Sequence, residues 1–125
     1  MAGPYVESDI YSVRPKRRKP VVWLHGEVRT PPFSTAARVR VGFLLGRVQQ
    51  GVNLPMPDSR PMAVLGPRCH ELRVADHGIA WRVIYRVDPD AVLVAGVFAK
   101  KTGGTPPAIL SAAAQRLRRY DDESR

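Results

Sequence analysis

The chain has 125 residues, enough for one domain with its own core and too few for two. Twenty Lys and Arg against 11 Asp and Glu give a formal charge of +9, which points to a polyanion or an acidic protein as partner. The single Cys69 excludes an internal disulfide, and no stretch has the apolar length of a membrane helix or a signal peptide, so a soluble cytoplasmic protein is expected.

Residues 1–19 are polar and contain the basic run Arg14-Pro-Lys-Arg-Arg-Lys19, so a disordered tail is expected ahead of a domain spanning 20–120. Val21–Val28 is β-rich and reads as a first strand closed by Pro31 and Pro32. Ser34 or Thr35 caps a helix whose apolar stripe is Ala37, Val41, Leu44, Leu45 and Val48, with Gly51 as its stop. Residues 52–67 carry four prolines and read as a connecting loop.

Three strands follow as a meander. Leu72 and Val74 alternate with Glu71 and Arg73; Trp81, Val83 and Tyr85 alternate with Arg82, Ile84 and Arg86. Asp76-His77-Gly78 is the turn between them: Gly accepts positive φ, and Asp can bond its own backbone. If both apolar sets share a face, Arg73 and Arg82 emerge together on the other, an unfavourable pairing unless an anion lies between them. Ala91–Phe98 is almost wholly apolar, as a central strand covered on both faces would be. Thr105 caps a last helix with Pro106 in its first turn; Leu110, Ala113, Ala114 and Leu117 form its stripe, and residues 121–125 read as a frayed end. The result is an α+β domain: a mostly antiparallel sheet made of the N-terminal strand and the meander, with both helices flanking one face. Trp23 and Trp81 read as core. His25, His70 and His77 show no metal-ligand spacing, and neither metal nor cofactor is expected.

Leu65-Gly66 leading into His70-Glu71-Leu72-Arg73, followed by Trp81-Arg82-Val83-Ile84-Tyr85, resembles the RelE/HigB superfamily of bacterial toxins. Val97-Phe98-Ala99-Lys100-Lys101-Thr102 and the closing Ala114-x-Arg116-x-x-x-Tyr120 resemble its phage-derived HigB-like branch, so the likeness covers about residues 20–120. The resemblance implies a small RelE/ParE-like domain whose sheet binds mRNA in the ribosomal A site and cuts it. It also implies a cognate antitoxin, commonly a helix-turn-helix, HigA-like protein. Carried over by position, Arg73, Arg82, Lys100, Lys101 and Glu71 are the catalytic candidates, and Arg116, Tyr120 and Arg86 the RNA-binding ones. The chain departs from relatives that place a His or acid at the cleavage centre, since His70 has the wrong parity to share a face with Arg73.

The chemistry asks for a group to deprotonate the 2′-OH, cations on the phosphorane and a proton for the 5′-oxygen. Arg73 and Arg82 suit the second task, because a guanidinium forks onto two phosphate oxygens and stays charged. The lysine doublet or Glu71 would exchange the protons, although Lys100 and Lys101 point to opposite sides of a continuing strand. Tyr120 is placed better than Tyr85 to stack a base, since Tyr85 shares the core parity of Trp81. Two alternatives stay open: a ParE-like gyrase inhibitor of the same fold, and a non-catalytic nucleic-acid-binding module. For each arginine, a solvated ion-paired sheet face is the simpler reading.

Overall fold

The computed structural model describes residues 18–24, 32–101 and 103–124; the tail residues 1–17, residues 25–28 of the expected first strand, Pro31 and Thr102 lie outside them. Among the described residues, β1 (Val21–Trp23), β2 (Ser59–Pro61), β3 (Cys69–Asp76), β4 (Ile79–Val87) and β5 (Val92–Lys100) form one sheet in the order β1-β5-β4-β3-β2. The pairs β5–β4, β4–β3 and β3–β2 are antiparallel, and β1 joins β5 in parallel. The two helices are α1 (Thr35–Gln49) and α2 (Pro107–Glu123). The architecture is therefore the expected mixed α+β domain, and β5 is indeed a central strand. No helix among the described residues is long and apolar enough to cross a membrane.

The helices lie on opposite faces of the sheet, not on one. Ala37, Val41, Leu44, Leu45 and Val48 of α1 pack with Leu72, Val74, Trp81, Val83, Tyr85, Val92 and Val94. Ala113 and Leu117 of α2 pack with Cys69, Ile84, Ala91, Leu93, Ala95 and Phe98 on the other side. The reason lies in β5, which is apolar at both parities, and in Ile84 of β4; under a single helical layer they would leave one apolar face bare. Trp81 is core, but Trp23 on the edge strand β1 is 42% exposed.

The helix ends obey local chemistry. Ser34 caps α1, its hydroxyl accepting from the Ala37 amide at 3.1 Å. At the other end Gly51 has φ +95°, its amide bonds the Val48 carbonyl and the Val52 amide bonds the Arg47 carbonyl, which together close a Schellman turn. For α2, Thr105 is not the cap. Pro106 precedes Pro107 and is thereby held extended, at φ −58° and ψ 139°, so the helix begins at Pro107. Its far end is not frayed at Asp121, because the helix runs to Glu123 and Asp121 is bonded to the sheet through Arg86.

The segment read as a loop contains β2, whose Ser59, Arg60 and Pro61 pair with Leu72, Glu71 and His70. Three residues are too few to show a period, and Pro61 is tolerated because β2 is an edge strand. The hairpin turn has His77 and Gly78 both at positive φ, 47° and 83°, as a two-residue turn between twisted strands requires. The Asp76 carboxylate does not serve the turn. It accepts from the Ser34 amide at 3.0 Å, the Ser34 hydroxyl at 2.6 Å and the Trp81 indole at 3.0 Å, joining the start of α1 to the hairpin.

These bonds, Ser34 foremost, hold the Asp76 carboxyl below its ordinary value. Its contribution to stability is thus fully present above the unfolded carboxyl value of about 3.9 and is lost as pH falls through the lower folded value. In acid unfolding followed by circular dichroism, Asp76→Ala is expected to be less stable than wild type at about pH 6 and to converge on it towards about pH 2. Curves that stay parallel would mean this carboxylate does not hold α1 to the hairpin.

Candidate nucleic-acid interface

The register of the β3–β4 hairpin places Arg73 directly opposite Arg82 and Glu71 opposite Ile84. On the adjoining strands, Phe98 lies beside Arg82, Lys100 beside Ala80, and Arg60 beside Glu71. Paired residues point to the same side, so Arg60, Glu71, Arg73, Arg82 and Lys100 share the face that α2 covers only in part. Ala75 and Ala80 pair at the turn end of this face, and their small side chains leave it low. An open depression of about 630 Å³ runs here, lined by Arg73, Arg82, Ala75 and Ala80 and reaching Arg40 and Asp58 around the edge of β3.

Arg82 is the electrostatic centre. It is only 7% exposed, yet among the described residues a single carboxylate stands near it: Glu71 Oε1 lies 3.8 Å from its Nε, beyond hydrogen-bond range. The same carboxylate oxygen accepts from the Nε of Arg60 at 3.1 Å. One terminal nitrogen of Arg82 donates to the Trp81 carbonyl at 3.0 Å, while its buried Nε has no hydrogen-bond partner among the described residues. Burial lowers the Arg82 pKa from the usual guanidinium value, and repulsion from Arg73 and Arg60 adds to the drop while Glu71 opposes it. A guanidinium remains charged even so. Buried donors without partners are rare and costly, and this one sits among three guanidiniums around one carboxylate. An anion on the face would relieve the repulsion.

The sequence-derived candidates separate into two groups. Arg73 and Lys100 are part-exposed on the basic face with Arg82. Lys101 is exposed one residue past the end of β5, where the strand parity turns it from Lys100. Glu71 is 1% exposed and held between two guanidiniums, a poor position from which to take a proton from solvent-borne substrate. Arg86 is buried and bonds both oxygens of Asp88 and both of Asp121 at 2.6–3.1 Å, and these carboxylates push its pKa far up. It pins α2 to the sheet, with Arg68 adding a 2.7 Å bond to Asp88. Arg116 donates at 2.9 Å to the carbonyl of Ala95, the extra residue in the β4–β5 bulge, and thereby satisfies an acceptor that the ladder leaves open. Tyr120 packs partly buried against the α2-side core.

On the opposite face, Tyr85 is buried, shares a 2.6 Å hydrogen bond with Ser59 and stacks on His70 at 5.3 Å. Burial pushes the Tyr85 phenol up and His70 down, and it pushes the Cys69 thiol up. The parity that set these residues apart from Arg73 is therefore correct for Tyr85 and His70. Arg60 stands in the segment read as a loop, where it could line a site but solvent is its default reading, because nothing marks Ser59–Pro61 as a strand until β3 is there to pair with it. Among the described residues no group of three or more His, Cys, Asp or Glu side chains could hold a metal ion.

A sheet with one helix on each face, and a guanidinium cluster at the corner that α2 leaves open, defines a small basic domain of the RelE-like kind. The chain belongs to the phage-derived Gp49-like protein family (DUF891), whose profile matches residues 32–118, from the start of α1 to near the end of α2. That family is RelE-like and associated with toxin–antitoxin systems. No curated protein and no solved structure matches the chain.

If the cluster binds anions, inorganic phosphate must stabilise the fold more than chloride does at equal ionic strength. At roughly ten times its Kd the gain is about 1.4 kcal/mol, read as a rise in Tm. Arg73→Ala is expected to lose that rise. Equal melting of the wild type in both anions would show that the cluster holds none.

Proposed function

We propose that this protein is the toxin of a type II toxin–antitoxin pair, of the HigB-like branch, acting as an endoribonuclease on mRNA in the ribosomal A site. The observation that supports it best is the facing pair Arg73 and Arg82, which have only a share of Glu71 as counter-charge among the described residues. A scissile phosphate between these guanidiniums would be gripped in the ground state. As the phosphorane forms it gains charge, and the grip tightens, which is the condition for lowering a barrier. The 2′-oxygen gives its proton to solvent water and attacks phosphorus, forming a 2′,3′-cyclic phosphate; the bond to the 5′-oxygen breaks and that oxygen takes a proton up. Lys100, which pairs with Ala80 on the same face, would give that second proton. Arg73 and Lys100 are therefore the contacts with substrate, Arg82 the preorganised charge beneath, and Glu71 the group that holds the arginines in place.

The cognate antitoxin would be an acidic or apolar partner that covers the basic face or the nearby α1. A non-catalytic RNA-binding module is the second reading, favoured by one observation: Glu71 is locked between cations and so is withdrawn as a base. The two readings part on whether RNA is cut. Induced wild-type protein is expected to arrest growth and to create new mRNA 5′ ends. Arg73→Ala, part-exposed and replaceable without a cavity, should stay folded, lose the arrest and lose about 10²-fold in kcat/KM, as when one preorganised charge-stabilising donor is removed. Arrest without new 5′ ends would refute the nuclease, and inhibition of supercoiling by purified protein would assign the action to gyrase.

A further inference from the structure

The depression beside Arg73 and Arg82 has one carboxylate in its lining among the described residues, and it is not Glu71 but Asp58. Asp58 lies on the turn that leads into β2. Its amide bonds the Pro55 carbonyl at 3.0 Å, and its own carbonyl accepts from the Arg73 amide at 2.8 Å. The pairing of Ser59 with Leu72 is thereby carried one residue further, so Asp58 stands across from Arg73, with β-carbons about 5 Å apart.

The Asp58 side chain is 32% exposed, against 2% for Glu71. Arg40 of α1 holds one of its oxygens, with Nη2 3.2 Å from Oδ1. The other oxygen, Oδ2, has no hydrogen-bond partner among the described residues. Nor does Asp58 pair with Arg73, whose Nη1 turns to the Met56 sulfur at 3.7 Å. Glu71 is thus closed off between two guanidiniums, whereas Asp58 keeps one oxygen unbonded at the wall of the depression.

Cutting RNA needs a base at one particular place. The 2′-hydroxyl is joined through its ribose to the 3′-phosphate, so a phosphate between Arg73 and Arg82 brings that hydroxyl within one ribose of them. A carboxylate across the strand from Arg73 stands at that distance, and Arg40 offsets its charge against the phosphate. We propose that Asp58 is a catalytic residue of this site, the general base for the 2′-hydroxyl. This rests on the nuclease reading above and puts Asp58 where that reading has water. The 2′-O–H proton passes to Oδ2 as the 2′-oxygen bonds phosphorus. The bond from phosphorus to the 5′-oxygen breaks, and that oxygen takes its proton from Lys100. A 2′,3′-cyclic phosphate and a 5′-hydroxyl result; Asp58 returns its proton to water, and Lys100 regains one from it.

The test uses the full chain and ribosomes programmed with an mRNA, and reads the single-turnover rate of cleavage. Binding is measured separately, by fluorescence anisotropy with 2′-O-methyl RNA, which lacks the attacking hydroxyl. A general base contributes about 10²–10⁴-fold. Asp58→Asn keeps the size of the side chain and is expected to slow cleavage at least about 10²-fold while binding 2′-O-methyl RNA no more weakly than wild type. Asp58→Ala should be slow in chloride and speed up with added acetate at equal ionic strength, because a free carboxylate then takes the proton; wild type should not speed up. Cleavage by Asp58→Asn at the wild-type rate, or a loss matched by an equal loss of binding, would overturn the role of Asp58. So would an Asp58→Ala variant that acetate leaves slow. A wild type that cuts no mRNA would overturn the nuclease reading itself, and the base with it.

Discussion

One buried carboxylate, Glu71, stands against three guanidiniums, and the functional corner of the molecule is shaped around that imbalance. The register of β3 on β4 is imposed by burial: Leu72, Val74, Trp81 and Val83 must face α1. A slip of one residue would carry all of them to the other side. Once the apolar set is placed, Arg73 has no choice but to face Arg82. Glu71 meets one Nε at 3.1 Å and the other at 3.8 Å, and it cannot satisfy both arginines in full. The surplus positive charge is therefore a consequence of the core, held in place by the same packing that stabilises the domain.

The rest of the fold keeps that corner rigid and open. Asp76 ties the start of α1 to the hairpin next to the cluster, through Ser34 and Trp81. Arg86, Asp88 and Asp121 tie α2 to the other end of the same face. With α2 anchored there and its Arg116 bonded at the bulge, Ile84 and Leu93 are covered while Ala75, Ala80 and Lys100 are not. Of the conspicuous arginines, Arg86 and Arg116 fasten the helix, whereas Arg60, Arg73 and Arg82 stand around the depression or beside it.

Much of this was legible from period and turn chemistry. The alternation in 71–74 and 81–86 carries the facing of Arg73 and Arg82, and Ser34 and Gly51 mark the ends of α1, because each of these signals is local. What escaped was non-local. The apolar runs of β4 and β5 demand cover on both sides, but nothing in either helix says which face it takes. The strand β2 exists only as a partner of β3, so Arg60 could not be placed. Arg86 and Arg82 have the same parity and differ in their carboxylates: Arg86 bonds Asp88 close by and Asp121, 35 residues away, whereas Arg82 has only a share of Glu71 at 3.8 Å. Local pattern finds the face, and tertiary partners decide which of its charges are free.

Positive charge in excess of its one carboxylate is thus the property that joins fold to function, and the side-chain Nε–H signals of the arginines report on it. In a titration of the protein with 2′-O-methyl RNA followed by nuclear magnetic resonance, the signals of Arg60, Arg73 and Arg82 should shift together while that of Arg86 stays in place. Shifts confined to Arg86 and the arginines of α2, with those three unmoved, would contradict the assignment of this corner as the RNA-binding site.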